Sequence, residues 1–320
     1  MLQYLIIQLC DTSTSYCHYC NEHTERKLMP LDVLEKAVLW AMKENLMLQV
    51  VRPAYALPQK YEEVLDRMEH TDIVPATSPL VEKAEIVVLN QWNELHEFHF
   101  LKDTSYVMRT NRMNLFENYR DLAPILPKVE RLNIVITDVA EFKDNDFETY
   151  QEVLRYLADE VEKIFVNGGH VQLNLLTDRM LLDKMNSCGA GDTHVTLAPD
   201  GKFYVCPAFY NAPNGMSVGN IDGGLDIKNA QLYRLDHAPI CRHCDAYQCK
   251  RCVWLNRKTT YEVNVPGHEQ CVVAHLERNA SAALLKSIRK HGDFLPNIEE
   301  IKVLECLDPF EKHKEWKRHM

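Results

Sequence analysis

The sequence predicts an α/β protein with a parallel sheet. Short apolar runs alternate with segments of helical periodicity through the first two-thirds of the chain. The hydrophobic share, 46% of 320 residues, is enough for one large domain or two moderate ones. Beyond about residue 180 the texture changes to short strands, turns and cysteines.

Tyr4 to Gln8 reads as a short apolar strand that runs into a cysteine loop. Leu31, Leu34, Val38 and Met42 then recur at helical spacing behind Pro30, a residue suited to a helix start because first-turn N–H groups have no partner within the helix. Further strands are predicted at Leu48 to Val51, Ile86 to Leu89, Tyr106 to Met108, Leu132 to Ile136 and Val171 to Leu176. Between the last two, Phe147, Tyr150, Leu154, Leu157, Val161 and Ile164 step by three and four, the stripe of a long amphipathic helix that Gly168 and Gly169 end. Pro199-Asp200-Gly201 is a hairpin turn between strands at Val195 to Leu197 and Lys202 to Val205. A helical pattern returns from about Ala274 to His291, and the remaining tail is charged.

Composition narrows the function classes. A formal net charge of -10 opposes generic nucleic-acid binding, which needs a positive surface for phosphate contacts. No run of eighteen apolar residues is present, and Met1 to Leu9 lacks the flank and cleavage site of a signal peptide, so the expected location is the cytoplasm, with no membrane partner. In a reducing compartment the eleven cysteines are read as thiols for metals or catalysis rather than as disulfides. Ten fall into spaced groups, and Cys306, alone in the tail, reads as a small buried hydrophobe.

Cys10, Cys17 and Cys20 form Cys-x6-Cys-x2-Cys at the end of the first predicted strand, so three thiolates can converge in one loop. A structural zinc site uses four protein ligands, whereas three cysteines on a [4Fe–4S] cluster leave one iron open to an outside ligand. Taken alone, the spacing is also compatible with buried or zinc-binding cysteines. The loop resembles that of the radical S-adenosylmethionine (SAM) superfamily, Cys-x3-Cys-x2-Cys with an aromatic before the last cysteine, the position of Tyr19. The resemblance implies that Cys10, Cys17 and Cys20 are the catalytic cluster ligands and that Tyr19 lies against the adenine of SAM. The first gap is six residues here instead of three, and Val50-Val51-Arg52-Pro53-Ala54-Tyr55 stands where the family carries Gly-Gly-Glu. Thr110 and Asn111 look like the family's fourth-strand Thr-Asn, and Thr137 and Asp138 like its fifth-strand polar end, which implies cofactor contacts; a solvated strand terminus is the plainer reading of each.

Cys188 and Cys206 enclose Gly201 as Cys-x12-Gly-x4-Cys, followed by Cys241-x2-Cys244-x4-Cys249-x2-Cys252 and then Cys271. By spacing alone the four-cysteine run also suits a zinc ribbon. The full set resembles the seven-cysteine SPASM domain of radical enzymes that modify peptides and proteins. The resemblance implies two auxiliary [4Fe–4S] clusters, one on Cys241, Cys244, Cys249 and Cys271, the other on Cys188, Cys206 and Cys252. Leu182 and Asp183 stand where some relatives carry a further cysteine, so the second cluster is expected to keep an open iron. His194, His237, His243 and His275 are read as surface groups or neighbours of the ligands rather than ligands.

The stretches Cys249 to Asn256 and Gln270 to Asn279 resemble the CXXX-repeat peptide maturases. Together the resemblances imply a partial (β/α)6 radical SAM barrel over residues 1–180, a small cysteine-rich SPASM domain with short strands and helices over residues 181–275, and a C-terminal helical tail over residues 276–320. They imply SAM and three [4Fe–4S] clusters as cofactors, a precursor peptide with repeated cysteines as substrate, thioether crosslinks as product, and an electron donor such as ferredoxin or flavodoxin. Nine residues before Cys10 leave no room for a leader-binding domain, so either a separate partner supplies one or the tail after Ala274 contributes. Two alternatives stay open: another protein-maturing radical SAM enzyme that oxidises a single side chain, and a non-catalytic, metal-stabilised binding module.

Overall fold

Strand β1 (Tyr4–Gln8) opens the chain, followed by α1 (Leu31–Lys43), β2 (Met47–Val51), α2 (Gln59–Leu65), β3 (His70–Pro75) and β4 (Ile86–Leu89). Next come α3 (Glu94–Glu97), β5 (Ser105–Thr110), α4 (Arg112–Asn118), β6 (Arg131–Ile136), α5 (Asp144–Val166), β7 (Gln172–Leu173) and α6 (Asp178–Leu181). The remainder holds β8 (His194–Leu197), β9 (Phe203–Tyr204), α7 (Pro207–Asn211), β10 (Gly219–Asn220), β11 (Gly224–Leu225), α8 (Val253–Thr260) and α9 (His268–Ile288). The structure is a computed structural model and describes residues 2–212, 215–303 and 307–310; Cys306 lies outside the described residues. Among the described residues no helix is long and apolar enough to cross a membrane.

Two compact units form, each from separated stretches of chain: Met1–Asn90 with Gly189–His237, and Gln91–Cys188 with Ala238–Met320. In the first unit β4, β3, β2, β1 and β8 pair in parallel in that order, and β9 closes the edge antiparallel to β8. The hairpin at Pro199-Asp200-Gly201 thus extends the sheet beside β1, with Tyr4 opposite His194 and Ile7 opposite Leu197. Gly201 sits at φ +76°, the left-handed conformation that a glycine adopts without strain.

Alternation along these strands separates two faces. Leu5 and Ile7, Leu48 and Val50, Val195 and Leu197, and Phe203 join one core with Leu34, Ala37, Val38 and Ala41 of α1 and with Tyr61, Val64 and Leu65 around α2. Met42, placed on the apolar stripe by its spacing, is 47% exposed, because the two alanines let α1 approach the sheet on a slightly rotated face. The opposite face presents Gln49, Ile6, Thr196 and Tyr204 as one cross-strand row, with Gln8 one step further along β1.

Strand β3 has no counterpart in the sequence prediction. Its first half, His70-Thr71-Asp72, is polar because Asp72 takes the Arg52 guanidinium at 2.6 Å. In the second unit β5, β6 and β7 pair in parallel, but β7 is two residues long, not the six of Val171 to Leu176. The ladder stops because the Asn174 side chain takes over: its Oδ1 accepts from Ile134 N at 2.8 Å and its Nδ2 donates to Ile134 O at 2.9 Å.

Helix α5 begins where Asp146 Oδ2 accepts the Lys143 N–H at 2.9 Å and ends with Gly168 at φ +78°, Gly168 N donating to Phe165 O and Gly169 N to Ile164 O. Its buried face, Tyr150, Val153, Leu154, Leu157 and Val161, packs against α9. Helix α9 starts at His268, six residues before the expected Ala274, so Cys271 lies within its first turn rather than ahead of it. Leu276, Leu284, Leu285 and Ile288 are buried, which makes this helix part of the second unit's core.

Candidate functional site

Cys10 follows β1 at the C-terminal end of the parallel strands, the end at which open α/β sheets bind ligands. Its backbone bridges to Leu28, which closes the loop that carries Cys17 and Cys20. Asn21 Nδ2 winds this loop by donating to Asp11 O at 2.5 Å and Ser13 O at 2.8 Å. Cys10 is buried, Cys17 half-buried and Cys20 exposed. The Cys10 sulfur meets two hydroxyls, Tyr55 Oη at 3.2 Å and Thr12 Oγ1 at 3.3 Å. Burial first, then the Cys10 contact, pushes the Tyr55 phenol up to about 12, so it is protonated and able to donate to sulfur. Tyr19 is buried, with its ring edge-on to Tyr16 at 6.0 Å.

The segment in place of Gly-Gly-Glu has a different task. Arg52 is buried and its guanidinium spans Asp72 at 2.6 Å and both Glu62 oxygens at 2.9 Å. Tyr55, three residues on, is delivered to Cys10 by this anchored turn.

The polar face of the first sheet carries buried groups with no protein partner: Gln8 Oε1, Thr196 Oγ1 and Asn211 Nδ2. Gln8 Nε2 holds Asn211 Oδ1 and Cys10 O, each at 3.3 Å. Beside them Tyr210 Oη donates to Asp11 at 2.5 Å and Tyr204 Oη to Asp200 at 3.0 Å, and His23 stacks on Tyr210 with centroids 5.1 Å apart. Burial and then the carboxylate contact raise both phenols, which keeps them neutral donors. One acceptor amide oxygen, one donor amide and a hydroxyl, all inside the protein without partners, suit the polar end of a small molecule.

In the second unit Thr110 and Thr137 meet at the ends of β5 and β6, Thr137 donating from N at 2.8 Å and from Oγ1 at 3.2 Å to Thr110 O. Asn111 caps α4 by accepting Asn114 N at 2.8 Å. Asp138 accepts from Arg112 N at 2.8 Å and from its guanidinium at 2.6 Å. The four sequence candidates are therefore gathered at adjacent strand ends, where each has a local structural role.

Cys241, Cys244, Cys249 and Cys271 lie near one another in this unit. Burial raises each of the four thiols, Cys241 to about 11 and Cys249 to about 12, and Cys271 is raised further by the charges that Cys249, Cys241 and Cys244 would carry. Cys244 Sγ lies 3.3 Å from His275 Nε2 and accepts from Ala246 N at 3.4 Å. Among the described residues no three His, Cys, Asp or Glu side chains converge on one metal position, so the four thiols are neighbours rather than a closed cage. As a donor set, four cysteine sulfurs are the chemistry of a thiolate-bound iron–sulfur centre, whose ligands stand further apart than those of a single ion.

Cys188 and Cys252 also belong to the second unit. Cys188 N donates to Lys250 O at 2.9 Å, and its sulfur lies 3.9 Å from the Arg251 carbonyl, one residue before Cys252. Cys252 Sγ accepts from Leu255 N at 3.5 Å at the start of α8. Cys206 belongs to the first unit and precedes Pro207 of α7. Of the four histidines named from the sequence, His275 lies against a cysteine sulfur. Sequence spacing gives no signal for Tyr55 or Gln8, whereas Arg278, seven residues after Cys271, falls on the same helix stripe and could have been found.

No family model matches the chain, and no curated protein matches it. Solved structures do. Native anSMEcpe with bound AdoMet and the Cp18Cys peptide aligns with a TM-score of 0.59 at 14% identity, covering 91% of this chain and 100% of that one. A histidine-tagged anSMEcpe with bound AdoMet aligns at 0.60 and 15% identity, covering 91% and 96%. Native anSMEcpe with AdoMet and the Kp18Cys peptide gives 0.59 at 16% identity, covering 91% and 100%. At these identities the likeness is one of fold, and the chain shares the α/β fold of these structures.

Proposed function

We propose that this chain is a radical SAM enzyme that modifies a cysteine-rich, ribosomally made precursor peptide by forming thioether crosslinks. The observation that carries the reading is Cys10: a buried thiol, first of three in one loop, at the ligand-binding end of β1 and next to buried polar groups that lack protein partners. In this reading Cys10, Cys17 and Cys20 hold a [4Fe–4S] cluster, which when bound supplies the electron that cleaves a carbon–sulfur bond of SAM. Tyr55 and Thr12 donate to the Cys10 sulfur and hold the first ligand in place. Gln8 Oε1 accepts from the cofactor's amino group, a task the ion-paired Arg52 turn does not perform. Tyr19 borders the adenine. Cys241, Cys244, Cys249 and Cys271 hold an auxiliary cluster.

Mass spectrometry of precursor coexpressed with the enzyme tests the product. Each crosslink should remove two hydrogens and protect one thiol from alkylation; unchanged mass with full alkylation rejects the proposal. Cys17→Ala should abolish 5′-deoxyadenosine formation, and persistent formation would mean that the front loop does not hold the cluster.

A second reading is oxidation of a single side chain. It is supported by the shared fold with anSMEcpe, whose structures hold AdoMet and a peptide and which is an anaerobic sulfatase-maturating enzyme. A mass loss of two hydrogens with no crosslinked fragment would favour it.

A further inference from the structure

Helix α9 aligns Cys271, His275 and Arg278 at i, i+4 and i+7, a spacing that stacks side chains on one face. That face meets the segment around Cys244. His275 Nε2 lies 3.3 Å from Cys244 Sγ, and Arg278 Nη1 donates at 2.7 Å to Asp245, the next residue. Arg278 is fully buried, yet its Nε and Nη2 have no hydrogen-bond partner, while its one carboxylate, Asp245, keeps 31% of its side chain in solvent. The neighbouring Arg179 is accounted for differently: its Nε donates to Asp245 O at 2.6 Å and its guanidinium lies 4.3 Å from the centre of the Tyr247 ring.

A guanidinium with unpaired donors in the interior is costly, and such a group persists where an acceptor of negative charge belongs. Cys244, the residue before Asp245, brings its thiol to this same face of α9, where the sulfur lies against His275, and Cys271 stands on the face itself. As neutral S–H groups these cysteines offer little, but as four thiolates around a [4Fe–4S] core they carry a formal double negative charge.

We infer that Arg278 is the built-in counter-cation of an anionic four-thiolate centre on Cys241, Cys244, Cys249 and Cys271, donating Nε–H and Nη2–H to its sulfurs and raising its reduction potential. The inference rests on the auxiliary cluster of the function proposed above. Arg278 acts through the ligands and is a positioning and charge-balancing residue.

The test compares full-length wild type with Arg278→Gln and Arg278→Lys, each reconstituted anaerobically with iron and sulfide. Arg278→Gln should shift the redox equilibrium of one auxiliary cluster toward the oxidised form at least tenfold, about 59 mV for a one-electron couple. It should leave the other clusters unchanged, and a chelator should remove its iron at least tenfold faster. Arg278→Lys, which keeps the charge, should restore most of both. Without metal, Arg278→Gln should be as stable as wild type or more stable, because it removes a poorly paired buried charge. An unchanged potential and chelation rate would overturn the inference, as would a glutamine variant that is destabilised, or fails to fold, without metal. If wild type takes up no iron–sulfur cluster on these four cysteines, the inference fails together with the reading it rests on, whereas a cluster whose potential ignores Arg278→Gln overturns the inference alone.

Discussion

The Tyr55 hydroxyl stands 3.2 Å from the Cys10 sulfur, so the turn after β2 contributes a hydrogen-bond donor to the first cysteine of the front loop. Donors to cluster sulfur raise the reduction potential of iron–sulfur sites. Tyr55→Phe should therefore lower the potential of the front cluster in reconstituted protein and cost about 1 kcal/mol of stability. Electron paramagnetic resonance during a redox titration reads the potential, and an unshifted midpoint would remove Tyr55 from this role.

Arg52 should matter for the fold far more than the surface ion pairs. It is buried against Asp72 and Glu62, whereas Lys36 and Asp222 form their 2.7 Å pair in solvent. Loss of one partner of a buried pair leaves charge unmatched, so Arg52→Ala should destabilise by about 3 kcal/mol and Lys36→Ala distinctly less. Urea unfolding of the metal-free protein checks the contrast; equal midpoints would show that the Arg52 pair contributes little.

Glu277 gives the second unit a pH dependence of defined sign. Burial raises its carboxyl to about 7 from an ordinary 4.5, although Tyr150 Oη donates to it at 2.8 Å and Gln248 Nε2 lies at 3.4 Å. Because the folded value is the higher one, the folded chain binds more protons between pH 4.5 and 7. Its contribution to stability is fully present below the unfolded value and lost as pH rises through about 7, a change on the order of 3 kcal/mol. Glu277→Gln should flatten this slope in metal-free protein measured from about pH 4.5 to about pH 8, and an identical slope would reject the assignment.

Two glycines with similar backbones should respond differently to alanine. Gly191 at φ +77° would place a Cβ 2.7 Å from the Tyr233 ring, whereas Gly224 at φ +83° has nothing within 4 Å. Gly224→Ala should cost about 1 kcal/mol from backbone strain, and Gly191→Ala distinctly more because a ring must also move. Thermal midpoints of the two variants settle the order.

The helices and most strands were legible because their signals are local. The stripe from Phe147 to Ile164, the glycine pair behind it and the turn at Pro199-Asp200-Gly201 each depend on a few adjacent residues, and each lies where spacing put it. Strand β3 was not legible, because half of it is polar for the sake of a distant arginine. The end of β7 escaped for a related reason: a side chain, Asn174, makes the hydrogen bonds that backbone would otherwise make.

By itself the sequence determined the α/β class, the grouping of ten cysteines and the chemistry that such groups permit, since composition and spacing are properties of the chain alone. Only the tertiary structure decided that β8 lies beside β1, that Cys271 belongs to a buried helix, and that Tyr55 and His275 reach cysteine sulfurs far from them in the chain. The physical reason is that hydrogen bonding, burial and charge act through space, so a residue's partners are fixed only when distant segments have packed.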